Sequence, residues 1–212
     1  MNKDLKTGPI KTLFLDIGGV LLTNGWEKEA RTMAAEQFGF ENEEMEARHQ
    51  LVFNNYELGR ITLDEYFNLV VFYQERTFSR DDFKAFMFSQ SQALEGNIEF
   101  FKELKQRHQL KVITVSNEGR ELNEYRIKQF KLDELFDAYI SSCYVHLHKP
   151  DNNMVQLACD VSHTAPENVL YIDDRSLLIE AAHAFGLQTM HFTDLVTAKD
   201  FIETYTFHKH TN

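Results

Sequence analysis

The 212-residue sequence has few cysteines, no excess of basic residues and no long apolar run, and each shortage excludes a class of protein. Its two cysteines, Cys143 and Cys159, match neither a zinc-ligand spacing nor a disulfide framework. A net charge of −11 leaves no basic surface of the kind that binds nucleic acid or anionic membranes. No stretch approaches the roughly 20 apolar residues of a membrane span, and Asp16 interrupts the early apolar run that a signal peptide would need. We therefore expect a cytoplasmic protein with reduced cysteines and no nucleic-acid or membrane partner.

Two secondary-structure patterns divide the chain. From about Gly25 to Ala93, apolar residues recur at helical spacing in about four segments, with no strand pattern between them. A capping box at Thr62 and Glu65 starts one of these helices, and Ser79 can cap another. Beyond this region helices alternate with strands, which predicts a parallel sheet with right-handed crossovers. These later strands are predicted at 111–115, 138–141, 169–172 and 188–192.

A first strand is predicted at 13–15, separated from the rest of its sheet by the helical region. It ends at Asp16, and the glycines Gly18 and Gly19 follow at once. A carboxylate at this end of a buried parallel strand lies where open α/β sheets bind ligands, and glycine lets backbone amides approach a ligand closely. A simpler alternative is that Asp16 only caps the next turn. The helical region follows this loop directly, so we expect it to form a lid over the site.

Polar side chains follow four of the five predicted strands, and the parallel arrangement brings these strand ends to one edge of the sheet. The residues are Asp16, Ser116 with Asn117, Lys149, and Asp173 with Asp174. Three carboxylates brought together raise one another's pKa unless a cation joins them, and oxygen ligands suit magnesium. An acidic nucleophile, a hard cation, a lysine and a hydroxyl are the groups that phosphoryl transfer requires.

Each group also has a simpler interpretation. Ser116 can cap the helix that follows it, Lys149 can be a surface lysine, and Asp173 with Asp174 can stabilise a helix N-terminus.

Three histidines and one arginine are further candidates for site residues. His146 and His148 lack a third ligand in register, which disfavours zinc. From the helical region, Arg60 and His49 are candidate substrate contacts. The polar segment 1–10 and the tail with His208 and His210 are expected to lie outside the packed core.

Together these stretches resemble the haloacid dehalogenase (HAD) superfamily of hydrolases, whose four motifs occur here in order. They are 16–20 after the first strand, 112–117, 149–151 and 169–174. The helical region is similar to the small helical cap of that family. The resemblance implies an α/β fold, with a Rossmann-like parallel five-stranded sheet core, helices on both faces and an inserted four-helix cap. It divides the chain into a discontinuous core, 10–24 and 94–207, and a cap, 25–93.

The resemblance also implies roles for individual residues. Asp16 is expected to be the nucleophile and a ligand of Mg²⁺, with the carbonyl of Gly18 and the carboxylate of Asp174 as further ligands and Asp173 beside them. Ser116 and Lys149 are expected to hold the phosphoryl oxygens. The backbone amides at Ile17, Gly18, Gly19 and Asn117 would complete the phosphate-binding loop.

Three departures from the family pattern bear on function. Phosphatases of the family usually carry a second aspartate two residues after the nucleophile as general acid and base, and this position is Gly18 here. General acid–base help is worth about 10² to 10⁴ in rate, so a cap residue or water must supply the proton, the substrate must have a good leaving group, or activity is poor. His146 and Leu178 replace other residues that are common in the family.

The leading hypothesis is a magnesium-dependent phosphatase, monomeric or homodimeric, of a small phosphorylated metabolite such as a sugar phosphate or nucleotide. Carbon–halogen hydrolysis by Asp16 is an alternative that needs no metal, and the pair Asp173 and Asp174 argues against it. A third alternative, motivated by Gly18, is a catalytically weak binding or regulatory protein that keeps the fold.

Overall fold

The computed structural model describes residues 8–207 as an α/β protein with one parallel five-stranded sheet. The strand order is β3-β2-β1-β4-β5, so that β1 is central. The strands are β1 (Thr12–Leu15), β2 (Lys111–Ser116), β3 (Ala138–Ser141), β4 (Val169–Asp173) and β5 (Gln188–His191). Helices cover both faces, and the predicted Rossmann-like fold class is confirmed.

Ten helices accompany the sheet within the described residues, and none of these is long and apolar enough to span a membrane. Four lie between β1 and β2 in the region of the predicted cap: α1 (Lys28–Phe38), α2 (Asn42–Glu57), α3 (Leu63–Val70) and α4 (Arg80–Ser89). The others are α5 (Asn97–His108), α6 (Arg120–Gln129), α7 (Ser142–Val145), α8 (Asn152–Ser162), α9 (Ser176–Phe185) and α10 (Leu195–Ile202).

The central strand β1 is buried on both faces, as its continuous apolar run predicts. Leu13 and Leu15 pack in one apolar cluster with Phe101 of α5, whereas Phe14 packs on the opposite face with Met154 of α8. This division follows from the alternation of side chains along a strand. Two-sided burial fixes β1 in the middle of the sheet and Asp16 at its carboxyl end.

The four helices α1 to α4 share an apolar cluster of their own, rich in aromatic rings. Tyr66, Phe67 and Phe83 are fully buried in it, and α6 contributes Leu122. Both predicted helix starts are present: Thr62 and Glu65 form a reciprocal capping box, and the Ser79 hydroxyl accepts a hydrogen bond from the next turn. The division of the chain into core and cap domains at the stated boundaries stays a prediction.

Three sequence expectations need correction or limitation. Ile10 is fully buried and pairs with Phe207, so the packed core begins earlier than the polar segment 1–10 suggests. The helix-cap interpretation of Ser116 is wrong, because Ser116 ends β2 and α6 begins only after Gly119. Residues 1–7 and the tail containing His208 and His210 lie outside the described residues.

Candidate active site

The carboxyl ends of β1 and β4 bring two acidic side chains to one buried lysine. Leu15 pairs with Ile172 in adjacent strands, so that Asp16 and Asp173 emerge side by side. Lys149 Nζ lies 2.9 Å from Asp16 Oδ2 and 2.7 Å from Asp173 Oδ2. All three side chains are almost completely buried. The strand-end prediction therefore holds for these three residues, and the surface interpretation of Lys149 is wrong.

The two carboxylates that share Lys149 differ in their other contacts. Burial and the nearby Asp173 raise the pKa of Asp16 above its usual range, although Lys149 opposes the shift. Burial also disfavours ionisation of Asp173, but Lys149, the Tyr171 hydroxyl at 2.5 Å and the Arg175 backbone N–H at 2.9 Å outweigh it and lower its pKa. Asp173 is therefore the firmly ionised member of the pair, and Asp16 is the one that responds to an added cation.

Asp174 completes a group of three carboxylates whose ligand atoms lie within 4.8 Å of one another. Its Oδ2 accepts a hydrogen bond from Asn24 at 3.2 Å, whereas its Oδ1 is buried and forms no hydrogen bond among the described residues. A Cβ at Gly19 would overlap this carboxylate, and Gly19 also has a φ of +68°. The loop thus needs glycine where it approaches Asp174. An unpartnered buried carboxylate oxygen beside two other carboxylates fits a cation site.

The loop after β2 forms the other side of the strand-end site. Ser116 is 2% exposed at the end of β2, next to β1. The Asn117 side chain accepts a hydrogen bond from Lys149 N at 2.8 Å and donates one to Lys149 O at 3.2 Å, which fixes the lysine backbone.

Only part of the expected phosphate-binding loop has free amides. Ile17 N–H donates to Asp16 Oδ1 at 2.8 Å, and Gly19 N–H donates to Leu22 O at 2.8 Å. The amides of Gly18 and Asn117 make no hydrogen bond within residues 8–207. These two are the amides best placed to bind an anion without rearrangement.

A cavity of about 380 Å³ opens above these residues, between the strand ends and the helical region. The side of the cavity formed by the strand ends is lined by Asp16, Gly18, Ser116 and Asn117. Its remaining wall includes Asn24, Trp26, Lys28, Arg31, Phe53, Tyr56, Glu57, Glu118, Leu122, Arg126 and Arg175. The wall therefore combines aromatic rings with charged groups of both signs.

Sequence analysis missed a buried ion pair in that wall, formed by Glu118 and Arg126. Arg126 Nε donates to Ser91 Oγ at 2.9 Å. Its Nη2 donates to the carbonyls of Thr23 and Asn24 at 3.2 and 3.1 Å. The chain passes between the sheet and the four helices at these two places, near 24 and near 91, so one guanidinium binds both crossings. The available signal was weak: two opposite charges eight residues apart in a region of helix–strand alternation.

Arg175 was also missed, although it directly follows the acidic pair. Its guanidinium is about half exposed and lies 3.4 Å from Asp16 Oδ2. It also lies 3.7 Å from Asp173 Oδ1 and 3.9 Å from Asp174 Oδ1. A positive charge next to two carboxylates at a strand end was a visible signal for this residue.

The candidate residues from outside the motifs have structural partners. His146 Nδ1 lies 2.7 Å from Leu58 O, and His148 Nε2 lies 2.8 Å from Glu57 Oε2. Both histidines thus join the segment after α7 to the end of α2. His49 is buried against Tyr66, Arg60 is exposed, and neither lines the cavity.

Comparison with known proteins gives a family match over most of the chain. The family model described as haloacid dehalogenase-like hydrolase matches residues 34–192. The chain belongs to this family, and it is a HAD-like hydrolase. The expectation drawn from the four motifs is thereby confirmed at the level of the family.

Individual relatives carry different names. The HAD family enzyme BT-2542 from Bacteroides thetaiotaomicron, in complex with magnesium and inorganic phosphate, is similar with a TM-score of 0.76 and 21% identity over 89% of this chain and 98% of that one. A predicted HAD-like family hydrolase from Porphyromonas gingivalis has a TM-score of 0.74 at 17% identity, over 94% of this chain and 100% of that one. The (S)-2-haloacid dehalogenase 4A of Burkholderia cepacia is 29% identical over 79 residues, a segment that spans only 37% of this chain and 34% of that protein.

Proposed function

We propose that this hydrolase is a magnesium-dependent phosphatase of a small phosphorylated metabolite, a sugar phosphate or nucleotide, acting through an aspartyl-phosphate at Asp16. The observation that carries the proposal is the buried Oδ1 of Asp174, which forms no hydrogen bond among the described residues and lies beside the carboxylates of Asp16 and Asp173. Carbon–halogen hydrolysis needs no metal. A third carboxylate would therefore have no role in that reaction. The cavity of about 380 Å³ suits a small substrate.

Asp16, Asp174 and the carbonyl of Gly18 would hold Mg²⁺, with Asp173 beside them. When bound, the ion neutralises charge on the phosphoryl group and lowers the pKa of the Asp16 carboxyl. The complex of BT-2542 with magnesium and inorganic phosphate supports this assignment by similarity of fold.

The chain's own residues would perform the remaining work. Ser116 and the free amides of Gly18 and Asn117 would hold the phosphoryl oxygens, since these residues line the same cavity as Asp16. Lys149, whose Nζ lies 2.9 Å from Asp16 Oδ2, would hold them as well. Asp16 attacks phosphorus, and water then hydrolyses the acyl phosphate. Most of the rate enhancement would come from positioning and charge neutralisation.

A second candidate is carbon–halogen hydrolysis, in which Asp16 attacks carbon. The partial match to a haloacid dehalogenase favours it. Lys149, which contacts both Asp16 and Asp173, would favour the ionised form of the nucleophile in either reaction. Chloride release from a 2-haloacid without magnesium would select this candidate.

The test is hydrolysis of para-nitrophenyl phosphate with and without Mg²⁺ by the wild type and by Asp16→Asn. We expect magnesium-dependent turnover that is lost in the variant, because the amide is not a nucleophile toward phosphorus. Thermal unfolding gives an independent measurement: Mg²⁺ should raise the Tm of the wild type and have a smaller effect on Asp174→Asn. A wild type without turnover that still binds a phosphate mimic would contradict the proposal and indicate the binding or regulatory protein.

A further inference from the structure

The proposed reaction needs a proton for the leaving group, and the loop after β1 has no side chain that can give it. When the ester bond of a phosphate with a poor leaving group breaks, the departing oxygen is strongly basic, and general acid help is worth about 10² to 10⁴ in rate. Gly18 stands where the resemblance leads to the expectation of an aspartate. The donor therefore comes from another part of the cavity wall, or from water.

Glu118 is a buried carboxyl group on that wall, two residues after Ser116. Its backbone N–H donates to Ser142 Oγ at 2.9 Å, which fixes the loop that carries it. Its Oε2 accepts a hydrogen bond from Arg126 Nη1, whereas no hydrogen bond to Oε1 is formed within residues 8–207. One carboxyl oxygen is therefore anchored, and the other is left for the cavity.

The surroundings of Glu118 favour its neutral, proton-carrying form. Burial, together with Glu57 of α2 and Asp16 after β1, raises the pKa of Glu118 to about 7, although Arg126 of α6 opposes the shift. Tyr56 of α2 also faces this carboxyl group and is uncharged at neutral pH. Arg126 has neutral acceptors besides Glu118, so protonation leaves the guanidinium hydrogen-bonded. A bound phosphate dianion adds negative charge and favours the protonated form again.

We infer that Glu118 is the proton donor to the leaving group, an inference that rests on the phosphatase function proposed above. First, an Asp16 oxygen bonds to phosphorus, the ester phosphorus–oxygen bond breaks, and the Glu118 proton passes to the departing oxygen to give the alcohol. Water then attacks phosphorus, the bond from phosphorus to Asp16 breaks, and the proton that water loses returns to Glu118. Both side chains end as they began, and water is the only co-reactant.

Two other groups on the cavity wall could be considered as donors. Burial raises the pKa of Tyr56 well above its usual value, so its hydroxyl is a weak acid near neutral pH. Glu57 Oε2 forms a hydrogen bond with His148 Nε2 at 2.8 Å. Because Glu57 is a carboxyl group on the same wall, Glu57→Gln is the matched control for Glu118→Gln.

The experiment compares two esters of nearly the same shape, phenyl phosphate and para-nitrophenyl phosphate, at saturating Mg²⁺. Phenolate is a poor leaving group that needs a proton, whereas para-nitrophenolate leaves readily without one. We expect Glu118→Gln to lower kcat/KM for phenyl phosphate by about 10²-fold or more and for para-nitrophenyl phosphate by less than about tenfold. The wild type should lose phenyl phosphate turnover as pH rises above about 7, where Glu118 becomes ionised, and the residual turnover of Glu118→Gln should lack this decline.

Four results would overturn the inference. Equal losses on both esters in Glu118→Gln would assign the residue a structural role at the Arg126 ion pair. A selective loss in Glu57→Gln instead would identify Glu57 as the donor. A wild type that hydrolyses only the para-nitrophenyl ester would contain no effective acid. A wild type inert with both esters would reject the phosphatase function itself, which separates that failure from a failure of the Glu118 assignment alone.

Discussion

Lys149 beside Asp16 and Arg126 on the cavity wall are two buried cations, and the protein compensates their charges in different ways. Lys149 is 4% exposed and contacts two carboxylates, Asp16 and Asp173. Arg126 is 1% exposed and contacts one carboxylate, Glu118. The other partners of Arg126 are neutral: the Ser91 hydroxyl and the carbonyls of Thr23 and Asn24.

The difference separates a group that binds ions from a group that holds structure. Around Lys149, three carboxylates face one buried lysine and one half-exposed arginine, and one buried oxygen of Asp174 forms no hydrogen bond among the described residues. Around Arg126, one carboxylate and three neutral acceptors meet one guanidinium. Excess negative charge favours cation binding, whereas a satisfied polar network favours one fixed geometry. We therefore expect loss of Lys149 to act mainly on activity and loss of Arg126 to act mainly on stability.

The largest expected effect comes from Lys149→Met. It removes the cation between Asp16 and Asp173, so turnover should fall by about 10³-fold, the size seen when a transition-state donor is lost. Mg²⁺ should raise the Tm of this variant more than that of the wild type, because the carboxylates gain a partner. Arg175→Met is the matched control, since its half-exposed guanidinium contacts the same carboxylates at longer distances. If Arg175→Met lowers turnover as much as Lys149→Met, the buried charge of Lys149 is no more important for turnover than the half-exposed charge of Arg175.

The next effect is on stability and comes from Arg126→Met. Removing one partner of a buried ion pair typically costs about 3 to 5 kcal/mol, and here two chain crossings lose a hydrogen-bond donor as well. Denaturant unfolding should therefore show a loss of about 3 kcal/mol. In the double variant with Glu118→Gln, the loss should be smaller than the sum of the single losses, because no buried carboxylate is left unpaired. A single-variant loss below about 1 kcal/mol would show that Arg126 does not hold the crossings.

A smaller effect tests how tightly the backbone packs on Arg126. Gly25 and Gly39 both have positive φ, +72° and +67°, so an alanine strains either site. A Cβ at Gly25 would also overlap Arg126 Nη2, whereas a Cβ at Gly39 meets no heavy atom within 4 Å. We expect a loss of about 1 kcal/mol for Gly39→Ala and about 2 to 3 kcal/mol for Gly25→Ala. Equal losses would mean that Arg126 moves away without cost.

The same contrast explains how much the sequence could predict. Asp16, Ser116 and Asp173 take their positions from strands that the apolar runs already identify, and parallel pairing then brings them together. The parallel direction of the strands was enough to expect a common site at their carboxyl ends. The positions of Asp16 and Asp173 were therefore predictable from local pattern, and that of Lys149 from its place in the loop that follows the third predicted strand.

The Arg126 network was not predictable because its contacts depend on how distant parts of the chain return. Arg126 binds Thr23 and Asn24 across more than 100 residues, and Ser91 across 35. Its sequence neighbours indicate only an ordinary polar helix. The role of His146 was not predictable for the same reason, because its partner Leu58 lies 88 residues away in the sequence.

The smallest expected effect concerns His49, a buried group of the four-helix region that stays neutral at pH 7. Trp26 Nε1 donates to the Tyr66 hydroxyl at 2.9 Å, and the same hydroxyl lies within hydrogen-bond distance of His49 Nδ1, at 2.7 Å. Burial, together with Arg31, lowers the pKa of His49 to about 4. The unfolded chain, with a histidine pKa near 6.5, therefore takes up a proton first as pH falls. The stabilising contribution of neutral His49 is complete above about pH 6.5 and is lost as pH falls toward 4.

Unfolding measured at pH 7 and pH 5 should show this loss as about 1 to 2 kcal/mol in the wild type relative to His49→Gln, which has no titrating group at this position. The difference between the two proteins is the informative quantity, because the raised pKa of Glu118 acts with the opposite sign over the same range. Equal pH dependence in both proteins would mean that His49 accepts a proton without leaving its site. In that case the four-helix region would accommodate a buried charge as the strand-end site does. The two regions would then differ only in which groups contact that charge.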